Sequence, residues 1–204
     1  LEGAKFDVPP TNALYRNDGE FRFTDVTAET GAGDTGYGLG VAVADYDNDG
    51  APDFYLNNYG PNVMYRNNGD GTFADVTGRT VGPGSEDEAG AGACFLDADK
   101  DGDLDLYAAS YLNFSYQTHV HNVWLGFHVY AGPDHYLPIP DAFYRNNGDG
   151  TFTDASIESG IAARKGRGMG TVCADYDNDG DTDIFVANDS SPNFLFENDG
   201  TGKF

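Results

Sequence analysis

Basic residues are scarce: 11 Lys and Arg stand against 34 Asp and Glu, for a formal charge of −23. Such a surface repels polyanions, which excludes nucleic acid and anionic lipid as partners. No run approaches the roughly 18 apolar residues that cross a membrane, so no membrane insertion is expected. The opening Leu1-Glu2-Gly3-Ala4-Lys5 has no apolar stretch behind it, and no leader is read there. No segment of useful length keeps a 3.6-residue apolar period, which argues against a helical fold. Cysteine is reduced to Cys94 and Cys173. They stand three and two residues before the first Asp of the loops described below, so their side chains point to opposite faces of a strand. On that ground no disulfide is expected between them; both are read as small buried residues, and the redox compartment stays open.

Aromatics are plentiful, with 13 Tyr and 14 Phe among 204 residues that are 39% apolar. This excludes a disordered acidic chain and suffices for the core of one or two domains. The sequence repeats internally. Gly38-Leu-Gly40-Val-Ala-Val-Ala-Asp45, Gly90-Ala-Gly92-Ala-Cys-Phe-Leu-Asp97 and Gly168-Met-Gly170-Thr-Val-Cys-Ala-Asp175 align without gaps. A second signature occurs at Tyr15-Arg-Asn-Asp-Gly19, Tyr65-Arg-Asn-Asn-Gly69, Tyr144-Arg-Asn-Asn-Gly148 and Phe196-Glu-Asn-Asp-Gly200, each followed by a Phe. A third follows the first three of these at Thr24-Asp-Val-Thr27, Ala74-Asp-Val-Thr77 and Thr153-Asp-Ala-Ser156. Asp45 to Asp97 is 52 residues but Asp97 to Asp175 is 78, so the second repeat carries an insertion over residues 110–141. The repeats run over residues 11–62, 63–141 and 142–193, with a partial fourth at 194–204. Short β-rich runs such as Val41–Ala44, Phe54–Leu56, Val63–Tyr65 and Ile184–Ala187 are bounded by Gly, Asn, Asp and Pro. Four short strands in about fifty residues is the size of one propeller blade. The predicted fold is all-β, a single region of β-propeller blades.

Three loops fit D-x-D-x-D-G-x-x-D. They are Asp45, Asp47, Asp49, Ala51 and Asp53; Asp97, Asp99, Asp101, Asp103 and Asp105; and Asp175, Asp177, Asp179, Asp181 and Asp183. Fourteen Asp residues lie in them. Calcium takes six to eight hard oxygen ligands in a forgiving geometry. Carboxylates at positions 1, 3 and 5 would wrap one centre, Gly at position 6 allows the sharp turn, the position 7 carbonyl adds an oxygen and the Asp at position 9 closes the cage. Three Ca²⁺ sites are predicted, structural rather than catalytic; Mg²⁺, which wants a strict octahedron, is the weaker candidate.

These loops and their preceding Gly-x-Gly strands resemble the FG-GAP (VCBS-type) repeats of integrin α-type propellers. Val186-Ala-Asn-Asp-Ser-Ser-Pro-Asn193 and Tyr144-Arg-Asn-Asn-Gly-Asp-Gly-Thr-Phe-Thr-Asp154 look closer still to the cartilage acidic protein (ASPIC/UnbV-type) family. The resemblance implies a seven-bladed, calcium-stabilised propeller. It also implies a secreted, cell-surface or periplasmic location and work by binding rather than catalysis. Seven repeats of this size need about 360 residues. A chain of 204 residues is therefore read as part of a longer polypeptide or as an arc completed by other subunits. Relatives often carry Cys-Gly-Pro in the insertion, where this chain has Tyr130-Ala-Gly-Pro133.

The insertion holds all four His (His119, His121, His128 and His135) and the single Trp124. It reads as a hairpin packed over the propeller, a partner-binding surface or a transition-metal site. Asn113 and Asn188 match the glycosylation sequon, the second within the repeat core. Three functions follow as expectations: a non-catalytic extracellular binding or adhesion module for a protein or glycan; a structural subunit self-assembling through blade edges; and an accessory propeller of an enzyme. No catalytic motif of nucleophile and base is recognisable, so the chain itself is not read as an enzyme.

Overall fold

The computed structural model describes residues 9–82 and 84–204. The opening Leu1–Lys5, read above for a leader, lies outside them. The chain runs through β1 (Tyr15–Gly19), β2 (Arg22–Asp25), a single helical turn α1 (Thr27–Thr30), β3 (Tyr37–Ala44), β4 (Asp53–Tyr59), β5 (Val63–Asn67) and β6 (Phe73–Asp75). It continues through β7 (Glu88–Leu96), β8 (Asp105–Asn113), β9 (His121–Trp124), β10 (Phe127–Tyr130), β11 (Ala142–Asn146) and β12 (Phe152–Asp154). The last strands are β13 (Gly168–Ala174), β14 (Asp183–Asn188) and β15 (Phe194–Phe196). The fold is all-β, as the short alternating runs predict.

Each Asp-rich loop joins the first two strands of an antiparallel blade. The first blade is ordered β3-β4-β5-β6 and the second β7-β8-β11-β12, and one pairing, Tyr59 with Ala89, links their sheets. The third unit is β13-β14-β15, and β1-β2 is a hairpin at the other end. The Thr-Asp-x-Thr signature closes the outer pair of strands. Asp75 accepts the Thr77 hydroxyl at 2.6 Å, and that hydroxyl oxygen accepts the Met64 amide at 2.9 Å; Asp154, Ser156 and Phe143 repeat the pattern.

Blades pack face to face on apolar residues. Tyr55 and Met64 of the first blade meet Leu106 and Ala108 of the second. Tyr107 and Phe143 of the second meet Ile184, Val186 and Phe196 of the third. The Gly-x-Gly motif sets how close the leading strands come. A Cβ on Gly40 would lie 1.8 Å from the Ala91 carbonyl oxygen, and one on Gly92 2.9 Å from the Thr171 nitrogen. Only a residue without a side chain fits there.

The expectation about cysteine is wrong: Cys94 and Cys173 form a disulfide, with Cα atoms 6.4 Å apart. Both are partly rather than fully buried. Their opposite parity, taken as grounds against pairing, is what brings them together. On strands of consecutive blades, the face of β7 turned forward meets the face of β13 turned back. The same parity leaves Leu39, Val41 and Val43 exposed on β3, and the cross-strand row Val172, Phe185 and Leu195 exposed on the last blade.

Candidate functional site

Repeated local chemistry shapes the three loops. At position 4, Asn48, Lys100 and Asn178 adopt left-handed backbone (φ 56°, 64° and 64°), and the position 6 glycines follow at about 90°. The position 1 carboxylate collects the amides ahead of it: Asp45 accepts from Asp49 (3.0 Å) and Gly50 (2.9 Å), Asp175 from Asp179 (3.2 Å) and Gly180 (3.0 Å), and Asp97 from Gly102 (3.2 Å). At position 5, Asp49, Asp101 and Asp179 each accept the amide two residues on at 2.9 Å.

The position 9 Asp is buried in every loop and clasps two strands. Asp53 accepts Tyr46 N at 3.2 Å and Asn67 N at 2.7 Å, Asp105 accepts Ala98 N at 3.2 Å and Asn146 N at 2.8 Å, and Asp183 accepts Tyr176 N at 3.2 Å and Asn198 N at 2.9 Å. Burial pushes Asp53 up to about 6 and Asp105 up to about 7, against these hydrogen bonds, which lower them. Burial and Asp101 raise Asp99, and burial and Asp179 raise Asp177. A cation between such carboxylates would favour their charged form and offset the burial.

Ligand-capable oxygens converge in three groups, each spanning less than 4.8 Å: Asp45, Asp47 and Asp53; Asp97, Asp99 and Asp101; Asp175, Asp177 and Asp183. Asp49, Asp105 and Asp179 flank these groups. The buried oxygens Asp47 Oδ1, Asp97 Oδ1 and Asp99 Oδ1 accept no hydrogen bond. An all-oxygen set with orphaned buried oxygens fits a hard cation, which would supply the missing partner. At position 7, Ala51 carries no side-chain oxygen, and Asp103 and Asp181 turn to the loop behind. Asn48 Nδ2 donates to Asp103 at 2.8 Å, and Lys100 pairs with Asp181. Each loop thus touches the next.

Several participants were missed in the sequence. Arg66 pairs with Asp47 at 2.5 Å and Asp49 at 2.8 Å, and Arg145 lies 3.7 Å from Asp99. The Asn of the second signature ties adjacent loops: Asn146 Nδ2 donates to Tyr46 O at 2.8 Å, and Asn198 Nδ2 to Ala98 O at 2.8 Å. The recurrence of the second signature after each Asp loop, as Arg66-Asn67, Arg145-Asn146 and Glu197-Asn198, was the available signal. In the third repeat the Arg position is Glu197, which accepts the Tyr176 hydroxyl at 3.2 Å.

A family model for the FG-GAP-like repeat matches residues 7–56, 45–108 and 129–186. This chain belongs to the FG-GAP-like repeat family. Cartilage acidic protein 1 of Homo sapiens and that of Xenopus tropicalis are each 37% identical to it over 57 residues. That stretch is 28% of this chain and 9% of either relative, so the chain spans only a small part of their length.

The FG-GAP-like repeat matches leave out residues 109–128, the first half of the insertion. There β9 and β10 form a hairpin, Trp124 opposite Phe127 and Val123 opposite His128. Trp124 is 66% exposed, and Leu125, Phe127 and Tyr130 are more so. The His119 and His121 rings are 5.3 Å apart, and His119 Nδ1 lies 3.2 Å from the Tyr136 hydroxyl. Among the described residues the groups able to hold a metal are the three Asp groups, and no His joins one. His128 and His135 are exposed and separate. Asn113 is exposed at the end of β8, while the Asn188 side chain donates to Pro192 O at 2.8 Å.

Proposed function

We propose that this FG-GAP-like chain is a calcium-binding extracellular module that works by binding or adhesion and performs no catalysis. The observation that carries this reading is the convergence of carboxylate oxygens in three equivalent all-oxygen loops, with orphaned, buried oxygens of Asp47 in the first and of Asp97 and Asp99 in the second. In each loop the carboxylates at positions 1, 3, 5 and 9 hold the ion, which offsets their repulsion and locks the strand connection. The disulfide supports an oxidising compartment. No helix among the described residues is long and apolar enough to cross a membrane. The insertion, with its exposed Trp124, Phe127 and Tyr130, is the surface offered to a protein or glycan partner. Calorimetric titration with calcium tests the metal reading. About three sites of 10⁻⁴ to 10⁻³ M are expected, with magnesium a weak competitor; absence of binding at millimolar calcium would refute it.

A second reading, a structural subunit that assembles with its own kind, is favoured by the exposed rows Leu39, Val41, Val43 and Val172, Phe185, Leu195. They have the parity of the interior blade interfaces, so one copy's last blade could pack on another's first. Sedimentation at rising concentration separates the readings, since only assembly raises the mass.

A further inference from the structure

Between the insertion and the end of β8 lies a cavity of about 340 Å³ whose walls are aromatic: Tyr111, Phe114, Tyr116, His119, Tyr130 and Tyr136. The rings stand at steep angles to one another. Phe114 meets Tyr116 edge-on at 5.6 Å and Tyr136 at 5.3 Å, so they enclose a space rather than stack. The Tyr111 hydroxyl donates to Asp189 Oδ2 at 2.7 Å. A phenol that donates to a carboxylate has a more electron-rich ring, which deepens the negative face that attracts cations.

The surrounding charge has the same sense. Asp189 lies behind Tyr111, and Asp134 follows the lining residue Pro133. The nearby Arg167 guanidinium is largely buried and turned to protein acceptors. It donates to Pro133 O (3.0 Å), Tyr136 O (3.2 Å) and Ser191 Oγ (3.1 Å), with Asp134 at 3.6 Å. An anion is disfavoured by a molecule of charge −23. A small hydrated cation would lose its water to walls that offer few oxygens. A cation with an apolar surface loses little and gains from every ring.

We propose that this cavity binds a quaternary ammonium group, carried by a choline-type molecule or a trimethylated lysine side chain. The assignment names a ligand class for the insertion and rests on reading that insertion as the recognition surface. It does not depend on the metal loops.

The test is calorimetric titration of the chain, in saturating calcium, with choline and with its uncharged carbon isostere 3,3-dimethylbutan-1-ol. Choline should bind at least about tenfold more tightly than the isostere, the margin a desolvated cation–π site provides. Tyr116 is 45% exposed, so Tyr116→Ala should weaken choline at least about tenfold with unfolding little changed. Tyr111→Phe keeps the ring, loses the Asp189 bond and should weaken choline severalfold. Phosphocholine and Nε-trimethyllysine identify the source, and preference for either over choline supports the assignment. Equal affinity for choline and the isostere, choline binding indifferent to both variants, or no choline binding would each overturn it. Calcium affinity, measured on the same sample, tells failure of the cage from failure of the metal reading.

Discussion

Within the first loop, two carboxylates six residues apart, Asp47 and Asp53, do different work. Asp53 holds the amides of Tyr46 and Asn67, and both bonds are structural whether or not an ion is present. Asp53→Asn sets an amide N–H against one of these donors and should cost about 1–3 kcal/mol in chelator. Asp47 has one oxygen on Arg66 and one free. Its partly exposed ion pair contributes at most about 1 kcal/mol. Asp47→Asn should therefore leave metal-free stability nearly unchanged while weakening calcium at the first loop by tenfold or more. Urea denaturation with and without calcium checks both variants. Asp141 offers a titration outside the loops. It accepts the Tyr107 hydroxyl at 2.5 Å and the Ser110 amide at 2.7 Å, and burial raises its pKa. The native state thus holds this proton more tightly than the unfolded chain, whose Asp titrates near 3.9. Stability from this group is present below that value and is lost as pH rises through the raised native pKa. Asp141→Asn should flatten this part of the stability–pH curve, measured by denaturation at a series of pH values.

At the scale of elements, leading strands and loops form a continuous chain around the arc. The Cys94–Cys173 bridge fastens β7 to β13 across 79 residues of sequence. Replacing both by Ala should cost roughly 2–4 kcal/mol and open the second blade interface, seen as faster amide exchange in β13 and β14. The contact of Asn48 with Asp103 couples neighbouring loops, so Asn48→Ala should weaken calcium at the second loop as well as disturb the first. The strands of each blade, and the Asp residues at loop positions 1 to 9, were legible because each signal is local: alternating apolar residues for a strand, alternating Asp and a Gly for a turn. Relations between blades were not. The parity of Cys94 and Cys173 was read correctly, but its meaning depends on which face of one blade meets the next. Arg66 reaches back 17 and 19 residues to its Asp partners, and Asn146 reaches 100 to Tyr46. Such clasps become visible only once the repeat is folded on its neighbour. In the insertion, a run rich in aromatics and His favoured a packed hairpin but left a metal site and a partner surface open. Cross-strand pairing of Trp124 and Phe127 defines the hairpin.

Across the whole molecule, 14 of the 34 acidic residues are gathered in the three Asp-rich loops, and folding forces those charges together. Self-repulsion of this kind opposes a compact state unless counter-charge is bound. Arg66, Arg145 and Lys100 supply a little of it, and the rest is the share proposed for calcium. The most direct test is thermal unfolding of the chain in about 1 mM calcium, the range that suits extracellular calcium modules, and again in excess chelator. A clearly higher melting temperature that rises with calcium concentration is expected, with a loosened molecule in chelator. The same melting temperature in both solutions would contradict the metal reading.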